Sequence, residues 1–306
     1  MSWEAAAGLR LPEAASAVLS SIGEHRVLST AQVQAIHFPD CGPRRCQQVL
    51  AYLERAGLAA YVETRRSPRR VWFLTERGAE WVLDAGADRQ PKVLSPEKAA
   101  GPLRAHTLGV NEVGISFLRA ARERDEEFGP LSWRHEVAHP LNRGRGSARR
   151  TLIADAVITY VRAEEHHFVV EQRFIEVDRA TLSLERLVAE LARYGELYRA
   201  TGKDSKALWR RYYPSFPPVI CALTGASREA LQRRMLAALA WLGDHPALDR
   251  AYGVSISFCH LDDLVERGPF APIFRSVGES ERAVDWIGQD GQPAMTSDQT
   301  GCGDWA

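Results

Sequence analysis

The first part of the chain carries apolar side chains at the spacing of three short amphipathic helices. The first helix is expected over residues 12–25, and Ser29 or Thr30 can cap a second that ends near Ile36. A third begins at Pro43, a residue favoured in the first helical turn, and ends at Gly57. Its buried stripe is Cys46, Val49, Leu50 and Leu53, and its opposite face presents Arg44, Gln47, Gln48, Ala51 and Arg55.

After Gly57 the pattern changes to that of β-strands. Residues 58–64 and 70–74 are rich in β-branched and aromatic side chains, and the basic segment 65–69 between them reads as the tip of a hairpin. Thr75 then begins another helix, which contains Trp81 and Val82. Three helices followed by a hairpin is the order of a winged helix-turn-helix. We assign this unit to residues 1–86.

Charge supports a double-stranded DNA partner for this unit. The whole chain is neutral, with 39 basic and 39 acidic residues, but residues 42–77 hold eight arginines against three glutamates, a net charge of +5. In such a unit the third helix enters the major groove and the basic wing follows phosphates. Gln47 and Gln48 are therefore candidates for reading bases. The other candidate DNA contacts are Arg44, Arg45, Arg55 and the wing residues Arg65, Arg66, Arg69 and Arg70.

The remaining chain predicts a second, α/β domain. Residues 87–103 combine Gly, Pro and polar residues and read as a linker, the domain itself as 104–285, and residues 286–306 as a flexible tail. Within the domain the apolar patterns predict helices over residues 106–125, 181–198 and 227–242. They predict strands over 133–137, 152–161, 168–177, 219–223 and 254–258.

Acidic residues within these strands are candidates for chemistry. Asp155 lies in one apolar strand, Glu176 and Asp178 close the next on one face, and Glu112 lies on the preceding helix. Carboxylates among apolar residues are costly unless they are paired or bind a cation. A Mg²⁺ held by Asp155 and Glu176, with Glu112 and Asp178 nearby, could activate water for phosphodiester cleavage. The alternative is that Glu176 and Asp178 form salt bridges with an arginine such as Arg179 or cap the helix at Thr181.

Four segments resemble the replication-relaxation family of plasmids and mobile elements in actinobacteria: residues 106–112 (HTLGVNE), 153–156 (IADA), 174–181 (FIEVDRAT) and 191–194 (LARY). The resemblance implies a winged helix joined to a domain similar to the PD-(D/E)xK, restriction-endonuclease-like, nuclease fold. It implies that Asp155 and Glu176 occupy the two carboxylate positions. Asp178 stands where that fold has a lysine, and the following helix offers Glu190 and Arg193 instead, which predicts an inactive site.

Three functions remain open at this stage. The first is a cytoplasmic DNA-binding protein of a plasmid or mobile element, acting in replication or transcription control and associated with the nucleoid or plasmid. The second is a Mg²⁺-dependent nuclease or nickase, and the third is a protein-interaction adaptor without DNA affinity. A homodimer is expected from the symmetry of DNA half-sites. Five cysteines without CxxC spacing indicate neither a disulfide framework nor a zinc site, and no apolar run is long enough for a membrane span.

Overall fold

The computed structural model describes residues 10–64, 67–87, 90–142, 150–202, 205–249 and 253–288. Its N-terminal unit contains α1 (Glu13–His25), β1 (Leu28–Ser29), α2 (Thr30–His37), α3 (Pro43–Arg55), β2 (Ala59–Thr64) and β3 (Ser67–Leu74). The three strands form an antiparallel sheet in the order β1-β3-β2. This is the element order of a winged helix, as the sequence predicts.

Local sequence signals determine where these helices begin. The Ser29 side chain accepts a hydrogen bond from the Gln32 backbone, and the Gln32 side chain accepts one from the Ser29 backbone, so α2 begins with a complete capping box. Pro43 opens α3 without leaving a helical N–H unsatisfied. Helix α4 (Glu76–Asp84) begins at Thr75, whose hydroxyl accepts from the Gly78 backbone. Both caps are positions that the sequence singled out.

The wing hairpin is tighter than predicted. Thr64 pairs directly with Ser67, so β3 begins three residues before the predicted position and only Arg65 and Arg66 connect the strands. Pro68 argued for a loop because proline cannot donate to a β-ladder. However, β1 is two residues long and pairs with β3 only at Val71 and Trp72, which leaves β3 with a free edge at Pro68. A missing N–H costs little at such an edge.

The rest of the chain forms a seven-stranded mixed sheet with helices on both faces. Its elements are α5 (Pro96–Ala100), α6 (Leu103–Arg124), β4 (Trp133–Pro140), β5 (Thr151–Ala163), β6 (Phe168–Asp178), α7 (Leu184–Arg199), β7 (Val219–Leu223), α8 (Arg228–Gly243), α9 (Pro246–Asp249), β8 (Ile256–His260), α10 (Leu261–Arg267), β9 (Phe274–Ser276) and β10 (Glu279–Val284). The strand order is β10-β9-β8-β7-β6-β5-β4, with β6, β7 and β8 parallel and the other neighbours antiparallel. The predicted helices and strands of this part are confirmed to within a few residues.

Each face of this sheet has its own apolar core. On one face, Val113 and Phe117 of α6 pack with Ile158 and Ile175 of the sheet. On the other face, Leu191 of α7 and Leu239 of α8 pack with Phe174. In β5, Ala154 belongs to the second core and Ala156 to the first, although the two are separated by only one residue. The strand therefore turns over at Asp155, and this local twist changes where that carboxylate points.

The N-terminal unit and the sheet share the first core. Leu19 and Ile36 belong to the same buried cluster as Val110 and Val113. Two amide side chains complete the junction. The fully buried Asn111 donates to the Val27 carbonyl at 2.8 Å, and its Oδ1 accepts from His135 Nε2 at 2.9 Å. Gln32 of α2 donates to the Leu108 carbonyl and to Glu112, both on α6, at 3.0 and 2.9 Å. Because buried polar groups are costly unless paired, these bonds specify one arrangement of the two parts.

Two segments predicted to lack structure are partly ordered. The predicted linker, residues 87–103, contains α5, whose Ala99 is buried with Val27 and Phe73. The predicted tail begins with Trp286, which is only 5% exposed and packs edge-on against Phe117. One alanine anchors the first segment and one indole anchors the second. Single anchors produce no periodic apolar pattern, so no sign of this order is visible in the sequence. Residues 289–306 lie outside the described residues.

The described cysteines, Cys41, Cys46, Cys221 and Cys259, are all unpaired thiols. Among the described residues, no helix combines the length and the apolar character that crossing a membrane requires.

The tight packing of Gly114 of α6 against Trp133 of β4 leads to a testable prediction. A Cβ at this position would lie 2.4 Å from the ring of Trp133, which is fully buried and cannot move aside. Gly114→Ala is expected to lower the free energy of unfolding by about 1–3 kcal/mol in urea titrations followed by circular dichroism. The control is Gly243→Ala, where nothing lies within 4 Å of the new methyl group. It should be neutral or stabilising by up to about 1 kcal/mol. Equal unfolding midpoints for the two variants would contradict this packing.

Candidate functional site

The polar face of α3 is turned away from the protein. Its apolar residues Cys46, Val49, Leu50 and Leu53 are buried, and α3 packs mainly on α1, α2 and β2. With 3.6 residues per turn, the other side of the helix must then face outward. Five of the predicted DNA contacts are exposed there: Arg44, Arg45, Gln47, Gln48 and Arg55. The structure therefore brings together the helical part of the predicted site.

The turn between α2 and α3 is fixed by a side chain of α2. Gln34 Nε2 donates to the carbonyls of Phe38 and Cys41, the latter at 2.7 Å. At the end of α2, Arg122 of α6 donates to the carbonyls of Ala35 and Ile36. The last carbonyls of a helix receive no hydrogen bond from within that helix. The Arg122 guanidinium supplies one and also complements the helix dipole. The orientation of α3 is thus set partly by the second part of the chain.

The wing contributes one arginine that the structure describes. Arg70 on β3 pairs with Glu63 on β2, with Nε and Oε1 2.8 Å apart, and its guanidinium lies 4.3 Å from the ring centroid of Tyr61. About half of each charged side chain is exposed. Arg65, Arg66 and the side chain of Arg69 lie outside the described residues, so their place in the predicted basic wing remains a prediction.

Asp155 and Glu176, the acidic pair, are neighbours across β5 and β6. The last ladder pair between these strands is Ala156 with Ile175, and beyond it the Asp155 carboxylate accepts the Val177 N–H at 2.9 Å. The side chain thus replaces a ladder bond where the two strands separate. Its other oxygen lies 3.0 Å from Nε2 of His106 on α6. Asp155 is 23% exposed, so its carboxylate is reachable from solvent.

The raised pKa of Glu176 favours a proton between the two carboxyl groups of the acidic pair. Burial and the neighbouring Asp155 raise the pKa of Glu176 well above its ordinary value. Glu176 accepts a hydrogen bond from the Tyr194 hydroxyl of α7 at 2.5 Å, and burial together with Glu176 raises the pKa of that phenol as well. On the other side, the hydrogen bond to Asp155 raises the pKa of His106. Two carboxylates in contact share one proton more readily than both ionise.

The other two predicted acidic residues are used elsewhere. Asp178 receives two hydrogen bonds from Arg234 of α8, at 2.5 and 3.2 Å, and also accepts the Ala180 N–H. The salt bridge proposed as the alternative therefore exists for Asp178, but its partner is Arg234 and not Arg179, which donates to the Pro102 carbonyl. Glu112 accepts from Gln32 at the junction with the N-terminal unit. Neither is directed at the acidic pair.

The residues present fit a shared proton better than Mg²⁺. Both Asp155 oxygens already accept hydrogen bonds, and Glu176 accepts one from Tyr194 and has a pKa raised well above its ordinary value. Glu190 on α7 is close enough that burial and Asp155 raise its pKa. Even so, within the described ranges no group of three or more His, Cys, Asp or Glu residues has the arrangement of a metal site. Arg193, which the helix after Asp178 offers in place of the expected lysine, donates to the Thr151 carbonyl at 2.7 Å.

Sequence reasoning missed three residues of this site. His106, Tyr194 and Arg234 come from α6, α7 and α8, each distant in sequence from the carboxylate it contacts. The sequence offers no histidine or cysteine at helical spacing from His106 that would mark it as a metal ligand. The only available signal was its position at the start of the HTLGVNE segment.

The chain belongs to the replication-relaxation family. The model of that family matches residues 19–208, which is more than half of the chain and includes α3, the wing and the acidic pair. No curated protein matches the chain.

Two solved structures are similar to part of the chain. Both are of Lactococcus lactis ZitR, one described as a zinc-responsive MarR family member and one a mutant of it, at 16% and 18% identity. Each match covers 38% of this chain and 77% of ZitR with a TM-score of 0.23. A TM-score this low does not establish a common fold.

The shared proton makes a prediction for Glu176→Gln. Because the pKa of Glu176 is raised above 4.5 in the folded chain, the folded state keeps a proton that the unfolded state releases. The contribution of Glu176 to stability is therefore lost as pH rises above 4.5, until its raised pKa is passed. Glutamine mimics the protonated carboxyl and has no proton to lose. The variant should gain stability relative to wild type with rising pH, by at most about 1.4 kcal/mol per pH unit.

Urea titrations between pH 5 and pH 8 measure this difference. Glu80→Gln, on the exposed side of α4, is the control and should follow the wild type across the series. A constant difference between Glu176→Gln and wild type at every pH would show that Glu176 is ionised in the folded protein.

Proposed function

We propose that this chain is a double-stranded-DNA-binding protein that inserts α3 into the major groove. The observation that carries the proposal is the exposed polar face of α3, on which Arg44, Arg45, Gln47, Gln48 and Arg55 lie opposite a fully buried apolar stripe. A surface that only had to be solvated would not need this concentration of arginine and glutamine in a chain without net charge.

The roles of these side chains follow from their positions. Arg44 and Arg45 lie in the first turn of α3, where the helix dipole adds to their attraction for phosphate. Gln47 and Gln48 come next, and a glutamine side chain can pair with the edge of adenine. Arg55, in the last turn, reaches the backbone at the other end of the helix. Arg65, Arg66, Arg69 and Arg70 of the wing add phosphate contacts.

We propose that the protein acts in replication or transcription control of a plasmid or mobile element, in the cytoplasm. Membership of the replication-relaxation family supports a role in replication. The rigid junction supports a DNA-binding role for the whole chain, because a fixed α3 loses less conformational entropy on binding than a freely tethered one. The proposed division is a winged helix up to residue 86 and an α/β body from residue 104.

Charge removal at the start of α3 tests the proposal. The double variant Arg44→Ala, Arg45→Ala is expected to bind duplex DNA more weakly, because each phosphate contact that is lost reduces the number of counterions released on binding. The slope of log K against log salt should become shallower by about 0.9 per contact. Fluorescence anisotropy with a labelled duplex at several salt concentrations measures it.

The matched control removes two exposed arginines of the second part, Arg186 and Arg211. It changes the net charge by the same amount and should leave the slope unchanged. If both double variants lose affinity equally, attraction to DNA comes from overall charge and α3 is not the contact.

A nuclease is the second candidate, favoured by one observation: helix α6, three antiparallel strands, α7 and then a parallel strand bring Asp155 and Glu176 together where two strands separate. This arrangement is compatible with the restriction-endonuclease-like fold that the family resemblance implies. The shared proton and the Asp178–Arg234 salt bridge argue against cleavage.

We therefore expect supercoiled plasmid to remain intact with the purified chain and Mg²⁺ or Mn²⁺, because Asp178 stands at the position from which a lysine would stabilise the charge that develops on phosphate. Agarose gels of timed samples measure nicked and linear products. Asp155→Asn serves as the control for contaminating nucleases, which would cut equally in both preparations. Cleavage by the wild type that Asp155→Asn abolishes would replace the DNA-binding proposal with the nuclease.

A further inference from the structure

Helix α8 has an apolar strip on its outer surface. Leu236 and Trp241 are 47% and 46% exposed, and Ala237 and Ala240 lie between them on the helix. The opposite side of α8 is buried in the second core through Leu231, Met235, Ala238, Leu239 and Leu242. The strip is therefore additional to the surface that folding requires. Monomeric proteins rarely leave a contiguous apolar surface of this kind uncovered.

Charged residues lie at both ends of the strip. Arg233 is exposed one turn before Leu236, and Asp244 is exposed at the end of the helix. They are eleven residues apart, close to three full turns, so both project from the same side of α8 as the alanines. One end of the strip is thus positive and the other negative, which limits what can cover it.

A second copy of the helix, running antiparallel, satisfies this pattern. With the two-fold axis between positions 238 and 239, Ala237 of one copy lies level with Ala240 of the other, and small side chains at the crossing let the helices approach closely. Leu236 and Trp241 are level with each other on the two sides of the crossing. Arg233 of one copy meets Asp244 of the other about 8 Å from the axis, on both sides. An isologous contact requires this kind of self-complementarity.

We propose that the chain forms a homodimer through α8, with Leu236, Ala237, Ala240 and Trp241 in the contact and Arg233–Asp244 ion pairs at each end. The proposal is independent of DNA binding. A single helix pair is a small interface, so the dissociation constant is expected on the order of micromolar. The opposite charges of Arg233 and Asp244 also favour a second copy of the chain. A uniformly acidic or uniformly basic partner would be repelled at one end of the strip.

Sedimentation equilibrium of the full chain from about 1 to 200 µM tests the proposal. The expected result is a reversible change from a 34.1 kDa monomer to twice that mass. Arg233→Glu and Asp244→Arg should each weaken dimerisation at least tenfold, because each places like charges together at both ends of the contact. The double variant carrying both changes restores opposite charges and should recover dimerisation to within about threefold of wild type.

Two further variants distinguish the loss of the α8 contact from a nonspecific effect of changing a surface residue. Trp241→Ser should weaken the dimer at least tenfold by removing the largest apolar side chain. Arg211→Glu, an equal change of charge on an exposed residue outside α8, should not alter it. Circular dichroism confirms that each variant is folded. A wild type that stays monomeric at 200 µM overturns the proposal, as does a dimer that survives both single charge reversals. A chain that dimerises only when residues 289–306 are removed also overturns it, because those residues would then cover α8.

Discussion

The structure depends on the packing of α6 against two surfaces at once. Its apolar side joins the sheet core to the core of the winged helix, and Asn111, at its centre, is fully buried with its amide bonded to both parts. Such a buried amide has few alternative partners, so the two parts cannot slide past each other without leaving it unsatisfied. The exposed face of α3 consequently keeps one orientation relative to the sheet.

The acidic pair shows how side chains can complete the hydrogen bonding where two strands separate. Strand separation at Asp155 leaves a backbone N–H that a carboxylate can satisfy, and burial and Asp155 both raise the pKa of the adjacent Glu176. With Asp178 committed to Arg234, the residues that surround the pair are tyrosine, histidine and carboxyl groups. Their hydrogen bonds tie together α6, β5, β6 and α7, which gives the pair a structural role whatever else it does.

Local patterns in the sequence were sufficient for the elements but not for the contacts between them. The stripe of α3 and the cap at Ser29 depend on neighbours a few residues away, and both are confirmed. The contacts of Glu112 with Gln32, of Asp155 with His106 and of Trp286 with Phe117 join residues far apart in sequence. Rules that depend on the spacing of residues along the chain cannot predict such contacts. The wing was misjudged for a related reason, because the free edge at Pro68 exists only through the brevity of β1.

Helix α6 touches the acidic pair near one end, through His106, and the last carbonyls of α2 near the other, through Arg122. Sixteen residues separate these contacts, a distance of about 24 Å along a rigid rod. One continuous helix therefore sets the spacing between the acidic pair and the N-terminal unit. Two regions that share no side chain are held at a fixed separation by its length.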